Sequence, residues 1–210
     1  DWEKNTNGIW HRLLSGITPD MWLKDQSGNH VTFWANNWML NASQYPTTQQ
    51  RWNEYLSSFV AEEILSTGLW DGVFYDNAFS DISWINGGNI DTNKDGIKDS
   101  KTQLVDGWQS GMTQLFSLTR QKKRGELLLV GNSDRGYYTS LNGHYFENFY
   151  DDKHLLWSEK MRLYKLSVDS ARAPSVNIIG NNTGNQGQIS GDVQRMRFGL
   201  GSALLEDGYY

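Results

Sequence analysis

The chain has 210 residues, no cysteine and a formal net charge of −5 at pH 7. This length is enough for one sizeable hydrophobic core, and the lack of cysteine excludes disulfides and thiolate metal sites. The acidic balance argues against a nucleic-acid surface, and no apolar run approaches the roughly 20 residues of a membrane-spanning helix.

Short apolar runs alternate with longer amphipathic stretches, which is typical of a mainly parallel sheet whose strands are joined by helices. The predicted strands are 31–35, 72–75, 127–130, 144–146, 176–179 and a last one from about residue 207. The predicted helices are 49–66, 101–122, 153–170 and 192–205. Gly68 stands where the first helix is expected to stop.

Polar residues directly follow five of the predicted strands. In a parallel sheet these strand ends share one edge, which carries the active site of a (β/α)8 barrel and the ligand of an open doubly wound sheet. Six strands are two fewer than a closed barrel needs. We therefore expect an α/β fold, a partial (β/α)8 TIM barrel with strands three to eight, forming one domain over residues 1–210 that is truncated at both ends.

Two of these strand ends carry a carboxylate followed by asparagine. Asp76 ends the run from Gly72, and Glu147 ends the run from Gly143. Burying a carboxylate beside aromatic side chains is costly, so its repetition predicts a shared site. Paired carboxylates are what glycosidic bond cleavage requires. We expect Asp76 to be the nucleophile and Glu147 the general acid/base; a buried ion pair or a hydrogen-bonded turn carboxylate is the alternative for each.

Amide and aromatic side chains near the same edge are candidates for substrate binding. An amide both donates and accepts hydrogen bonds, as sugar hydroxyls do, although asparagine after a strand also starts turns. Flat aromatic rings can stack on sugar faces, although tryptophan is equally a core residue. The candidates are Trp34, Asn36, Trp38, Asn77, Asn132, Tyr137, Asn148 and Asn181.

The segment 91–99 has the spacing of a calcium-binding loop. Side-chain oxygens fall at its first, third, fifth and ninth positions, the seventh offers a backbone carbonyl, and Gly96 permits a sharp turn. The candidate ligands are Asp91, Asn93, Asp95, Ile97 and Asp99. Because Thr102 stands where an EF-hand has glutamate, we expect a structural calcium site of the extracellular kind. The alternative is an acidic turn without a metal.

Several segments together resemble a family of bacterial glycosyl-hydrolase-like TIM-barrel proteins. The resemblance is carried by 21–25, 32–34, 38–41, 70–77, the loop from Asp91, 142–149 and 204–209. More distantly, the chain is similar to the endo-α-1,4-polygalactosaminidases, which also place an Asp after strand four and a Glu after strand six. The resemblance implies a secreted glycosidase that hydrolyses a polysaccharide with Asp76 and Glu147, without a catalytic cofactor.

Two other interpretations stay open. A non-catalytic carbohydrate-binding or cell-surface barrel would keep the fold and the calcium loop, and only the separation of the carboxylates would distinguish it from a hydrolase. A lyase or metal-dependent deacetylase would need a different base or histidine ligands, and the strand ends carry no histidine. The expected partner is a polysaccharide or oligosaccharide, with no nucleic acid and no membrane span, and the sequence leaves the oligomeric state open.

Overall fold

A computed structural model describes residues 8–45, 49–122, 126–132, 136–151, 155–182 and 190–210. Its α-helices are α1 (Ile9–Ser15), α2 (Trp52–Phe59), α3 (Lys101–Lys122), α4 (Trp157–Ser170) and α5 (Ser190–Ala203). Its strands are β1 (Gly72–Tyr75), β2 (Leu128–Gly131), β3 (Gly143–Phe146) and β4 (Ile178–Ile179). The chain forms two compact units. The first comprises Asp1–Asp71 with Ser80–Glu126, and the second comprises Gly72–Phe79 with Leu127–Tyr210.

The second unit contains a four-stranded parallel sheet in the order β1-β2-β3-β4. Tyr75, Gly131 and His144 lie side by side on its first three strands. A single parallel bridge joins Ile178 to Tyr209, where the sequence predicts the last strand. The prediction of a mixed α/β fold is confirmed. Strands that neighbour each other in chain order are compatible with part of a (β/α)8 barrel, while the complete barrel and the single domain stay predictions.

One face of this sheet packs against helix α4. The ring of Phe146 meets that of Tyr164 edge-on at 5.3 Å between centroids, and both belong to one core cluster with Ile179. Successive side chains of a strand point to opposite faces, so Tyr145 points away from α4. On that side its ring meets Phe74 edge-on at 5.9 Å. One face of the sheet is therefore covered by α4, and the opposite face carries the side chains of Phe74 and Tyr145.

A buried polar network anchors β3 to α4. The main-chain N–H of His144 donates to Oδ1 of Asn177 at 2.9 Å, and the hydroxyl of Ser167 donates to the same oxygen. The Nδ1 atom of His144 lies 2.7 Å from Oγ of Ser167. All three side chains are buried. Because buried polar groups that are hydrogen-bonded specify one arrangement, this network holds β3 in place three residues before Glu147.

The first unit is built on α3 and α2. The buried side-chain amide of Asn53 donates to the carbonyls of Ala42, Ser43 and Gly111, which ties α2 to a loop and to α3. A Cβ atom at Gly111 would overlap the carbonyl of Ala42. The loop therefore approaches α3 so closely that only glycine fits at this position.

The predicted parallel strand over 31–35 is wrong. Residues 22–40 of the first unit instead fold back on themselves through isolated antiparallel bridges, which join Trp22 to Leu40, Lys24 to His30 and Thr32 to Trp38. The physical reason is the turn chemistry, because Gly28 and Asn36 have positive φ angles of 80° and 66° and reverse the chain after a few residues. Parallel pairing needs a crossover of about a dozen residues or more.

The helices agree more closely with the sequence. Helix α3 has the predicted bounds, and α5 begins and ends two residues earlier than predicted. Regular α2 ends at Phe59, and a π turn and a 3-10 turn carry the chain to Gly68, whose φ of 70° confirms the predicted stop. For α4 the predicted start at 153 lies outside the described residues. None of the helices in the described ranges is long and apolar enough to cross a membrane.

Candidate active site

Strands β1 and β3 end in the same way. Asp76 follows β1 and Glu147 follows β3, and each is followed by an asparagine with a φ of 52°. Asparagine is one of the few residues that tolerate this left-handed conformation. Both carboxylates are exposed, so the expectation that they are buried beside aromatic rings is wrong. The reason is that the turns carry them just past the edge of the sheet.

Asn132, which follows β2, lies between the two carboxylates. Its side-chain nitrogen Nδ2 is 3.0 Å from Oδ1 of Asp76 and 3.0 Å from Oε2 of Glu147. These contacts join residues from the ends of three neighbouring strands. An amide nitrogen has two N–H donors and no acceptor, so one asparagine satisfies one oxygen of each carboxylate. The structure thus brings together the two predicted catalytic residues and one predicted substrate-binding residue.

This bridge limits the separation of the two carboxylates. Two oxygens that each lie 3.0 Å from the same nitrogen are no more than about 6 Å apart. Retaining glycosidases have carboxyl groups about 5–5.5 Å apart, and inverting ones about 6.5–9.5 Å. The bridged oxygens are therefore closer than the carboxyl groups of an inverting enzyme.

The main chain and a neighbouring side chain hold this arrangement at β1. The N–H of Asn132 donates to the carbonyl of Tyr75, and its carbonyl accepts from the N–H of Ala78, both at 2.9 Å. Asp76 also accepts hydrogen bonds from Asn77, at 2.9 Å from the main-chain N–H and 3.3 Å from the side-chain amide. Hydrogen bonds donated to a carboxylate orient it and stabilise its negative charge. The side chain of Asp76 is therefore held in one orientation.

A buried lysine on α4 holds the turn after Glu147 in place. The ammonium group of Lys160, on α4, donates to the carbonyl of Phe149 at 2.8 Å, and the N–H of Phe149 donates to the carbonyl of Gly180 at 3.0 Å. Lys160 is 7% exposed. A buried ammonium group needs such a partner, and here it fixes the main chain two residues beyond the carboxylate.

Tyr145, two residues before Glu147 on β3, was not among the site residues predicted from the sequence. Burial raises the pKa of its hydroxyl, and the electrostatic influence of Glu147 and Tyr210 raises it further. The phenol therefore stays neutral at ordinary pH and can donate a hydrogen bond. A Cβ atom at Gly180 would overlap the hydroxyl end of this ring, so glycine leaves the space that Tyr145 fills. The alternation of side chains along β3 was the available signal, since Tyr145 stands two residues before Glu147.

Two of the other predicted substrate residues of the second unit form hydrogen bonds to distant parts of the chain within that unit. The side chain of Asn181 accepts the N–H of Tyr150 at 2.7 Å and donates to the carbonyl of Arg195 at 2.8 Å. The hydroxyl of Tyr137 donates to the carbonyl of Phe79 at 2.9 Å. These bonds hold loops in position, and substrate binding by these two residues, by Asn77 and by Asn148 stays a prediction.

The remaining aromatic and amide candidates belong to the first unit. Trp34 and Trp38 are 60% and 57% exposed, and Asn36 lies in the positive-φ turn between them. The carboxylates belong to the second unit.

The predicted calcium loop also lies in the first unit. Its carboxylates accept main-chain N–H groups: Asp91 those of residues 95 and 96, Asp95 that of Ile97, and Asp99 that of Thr92. Gly96 has the positive φ, 82°, that the sharp turn needs. Within the described ranges no group of three or more His, Cys, Asp or Glu residues is arranged to hold a metal. Calcium ligation by these residues and by Asn93 stays a prediction.

Comparison with known proteins gives one decisive match. The model of the family described as "Hypothetical glycosyl hydrolase family 15" matches residues 4–210, almost the whole chain. The chain belongs to hypothetical glycosyl hydrolase family 15. No curated protein and no solved structure matches the chain.

Membership of hypothetical glycosyl hydrolase family 15 indicates a hydrolase of the glycosidase type and therefore a carbohydrate substrate. This agrees with the family resemblance and reaction class predicted from the sequence. The sugar, the linkage and the identity of the catalytic residues are not part of the family description.

Proposed function

We propose that the protein is a retaining glycoside hydrolase that cleaves an extracellular polysaccharide, with Asp76 as nucleophile and Glu147 as general acid/base. The observation that carries this proposal is the shared hydrogen-bond donor, Nδ2 of Asn132, 3.0 Å from an oxygen of each carboxylate. Because these two oxygens are no more than about 6 Å apart, they are closer than in an inverting enzyme, whose carboxyl groups leave room for a water, and this favours direct attack by the nucleophile.

The division of roles follows from the partners of each carboxylate. Asp76 accepts two hydrogen bonds from Asn77 in addition to the one from Asn132, which suits a group that must be an oriented anion before reaction. Glu147 accepts the hydrogen bond from Asn132 and influences the pKa of Tyr145. A carboxyl group that alternates between protonated and ionised forms is better served by fewer fixed donors.

The proposed reaction has two steps. In the first, Asp76 attacks the anomeric carbon and forms an ester bond, while Glu147 gives its proton to the departing glycosidic oxygen. In the second, Glu147 takes a proton from water, the water oxygen attacks the same carbon, and the ester bond to Asp76 breaks. Asn132 keeps the two groups close to each other through both steps.

We further propose an extracellular or cell-surface location, with calcium as a structural ion bound at 91–99. The support is the sequence spacing of the loop together with the positive φ of Gly96. The distant similarity to endo-α-1,4-polygalactosaminidases makes an amino-sugar polysaccharide the first substrate to test. A screen of a polysaccharide library with the full chain identifies the sugar.

Chemical rescue of two variants tests the roles. With an activated aryl glycoside of that sugar, Asp76→Gly is inactive until azide is added, and the glycosyl azide formed has the inverted configuration. Glu147→Ala gives a glycosyl azide of retained configuration, because Asp76 still forms the intermediate. The matched control is Asp71→Asn, an exposed carboxylate just before β1, and it keeps full activity. Undiminished turnover by Asp76→Asn would overturn the proposal.

A further inference from the structure

The first unit contains a groove of about 440 Å³ that the proposed reaction does not use. Four indole rings line it, from Trp10, Trp22, Trp38 and Trp52, together with aliphatic side chains. Its volume lies within the roughly 300–1,000 Å³ of small-ligand sites. Two amide side chains, those of Asn36 and Asn37, also contribute to the lining.

The ring of Trp38 is held in place although it is 57% exposed. One of its faces stacks on the imidazole of His30, with 3.9 Å between centroids and 6° between the planes. The ring of Trp22 lies beside this stacked pair, with its centroid 5.7 Å from that of Trp38 and from that of His30 and its plane nearly perpendicular to both. Because His30 covers one face, the exposed area belongs to the opposite face and the ring edges. A flat ring is thus presented in one orientation, which lowers the entropy cost of binding to it.

His30, the ring on which Trp38 stacks, is itself held in place by Lys24. The ammonium group of Lys24 lies 2.9 Å from Nε2 of His30. Burial and the nearby charges of Lys24 and Lys94 lower the pKa of His30. His30 is therefore neutral at pH 7, with Nε2 free to accept the hydrogen bond from Lys24. Trp38 rests on a neutral, hydrogen-bonded ring.

The lining chemistry selects the occupant. No charged side chain is among the described residues that line the groove, so an anionic or cationic ligand would lose its hydration without gaining an ion pair. Indole faces match the C–H faces of a pyranose ring, and amides both donate to and accept from hydroxyl groups. A purely aliphatic ligand would leave the two amides without partners.

We propose that this groove is a further carbohydrate-binding site, which takes uncharged sugar units of a polysaccharide. Trp38 is the stacking platform, and Asn36 and Asn37 provide the polar contacts. The site goes beyond the proposed hydrolysis, because none of the residues that line it takes part in the proposed reaction.

The test uses the full chain carrying Asp76→Asn, so that probes are bound but not cut. The neutral probes are the hexasaccharides of cellulose, xylan, starch, mannan and chitin; the charged probes are hexagalacturonate and the chitosan hexamer. Binding is measured by calorimetry and by tryptophan fluorescence. We expect at least one neutral hexasaccharide to bind more tightly than both charged ones.

Trp38→Ala should weaken that binding by at least tenfold. The matched control is Trp70→Ala, which is also 57% exposed and in the same unit but not among the residues that line the groove, and it should change binding by less than twofold. Asn36→Gly keeps the positive-φ turn and removes one amide, so it should weaken binding severalfold even if Trp38→Ala proves unstable.

Three results would overturn the proposal: unchanged binding in both Trp38→Ala and Asn36→Gly, preference for a charged hexamer, or no binding of any neutral hexasaccharide. The hydrolase proposal is judged separately, since it fails only if Asp76→Asn still turns over substrate.

Discussion

Asn77 and Asn148 have the same backbone conformation, each with a φ of 52°, and each directly follows one of the two carboxylates of the candidate active site. The strands before them are joined to each other only through β2. A non-glycine residue in this left-handed conformation is strained by roughly 1–2 kcal/mol. Two such turns at two strand ends indicate that this conformation serves to place the carboxylates, since backbone strain concentrates at functional sites.

Substitutions at Asn148 test this turn. Asn148→Ala should lower the free energy of unfolding by about 1 kcal/mol, because alanine has a Cβ and lacks the local hydrogen bonds that help asparagine in this conformation. Asn148→Gly should be close to the wild type, because glycine adopts positive φ without strain. Urea denaturation measures both. An equal decrease in the free energy of unfolding in both variants would show that asparagine does not act here by adopting the positive φ.

Removal of the amide bridge should affect catalysis more than stability. Asn132→Ala leaves its main-chain bonds to Tyr75 and Ala78 intact but frees both carboxylates, and misplacement by about 1 Å can cost about a hundredfold in rate. We expect kcat to fall by about a hundredfold with a small change in KM and in melting temperature. A fall in melting temperature with kcat unchanged would assign Asn132 a purely structural role.

His30 makes stability depend on pH in a defined direction. Its pKa is lowered from 6.5, first by burial and then by the charges of Lys24 and Lys94. Above pH 6.5 the ring is neutral in both states; as the pH falls below 6.5 the unfolded chain takes up the proton first, so stability decreases until the lowered folded-state pKa is reached. The melting temperature between pH 7.5 and 5 should fall less in His30→Gln than in the wild type. Parallel curves would contradict this.

Two glycines in helices should respond in opposite directions to alanine. In an open helix position Gly→Ala stabilises by about 1 kcal/mol, and a Cβ at Gly201 in α5 would meet no atom within 4 Å. At Gly111 in α3 a Cβ would overlap main-chain atoms of Ala42 and Ser43, which should cost several kcal/mol. Chemical denaturation of Gly111→Ala and Gly201→Ala compares them. Stabilisation by both would mean that the loop does not pack against α3.

Calcium at the loop 91–99 is tested by its effect on unfolding. A site with a millimolar Kd gains about 1.4 kcal/mol at a tenfold excess of free ion over Kd, which for a chain of this size is about 3–6 °C in melting temperature. We expect this rise with calcium, and its loss in Asp95→Ala but not in Glu62→Ala, an exposed acid elsewhere in the first unit. Equal melting temperatures in calcium and in chelator would favour the metal-free turn.

Residues near in sequence accounted for much of the fold. Helix α3, the stop at Gly68 and strands β1 to β3 were predicted to within one or two residues, because helical periodicity, strand composition and turn residues act locally. The prediction of a parallel strand over 31–35 was wrong because it too relied only on local sequence signals. Its apolar pattern carries no information on the direction of its partner, which the turns at Gly28 and Asn36 decide.

By itself the sequence determined that carboxylates follow two strands and that asparagines follow several, because the residue types and their distances from each strand end are written in the chain. Only the tertiary structure decided which asparagine lies between the carboxylates. The lateral register that sets Tyr75 beside Gly131 and Gly131 beside His144 brings Asn132 to both, and such pairing depends on hydrogen bonds between strands that are distant along the chain.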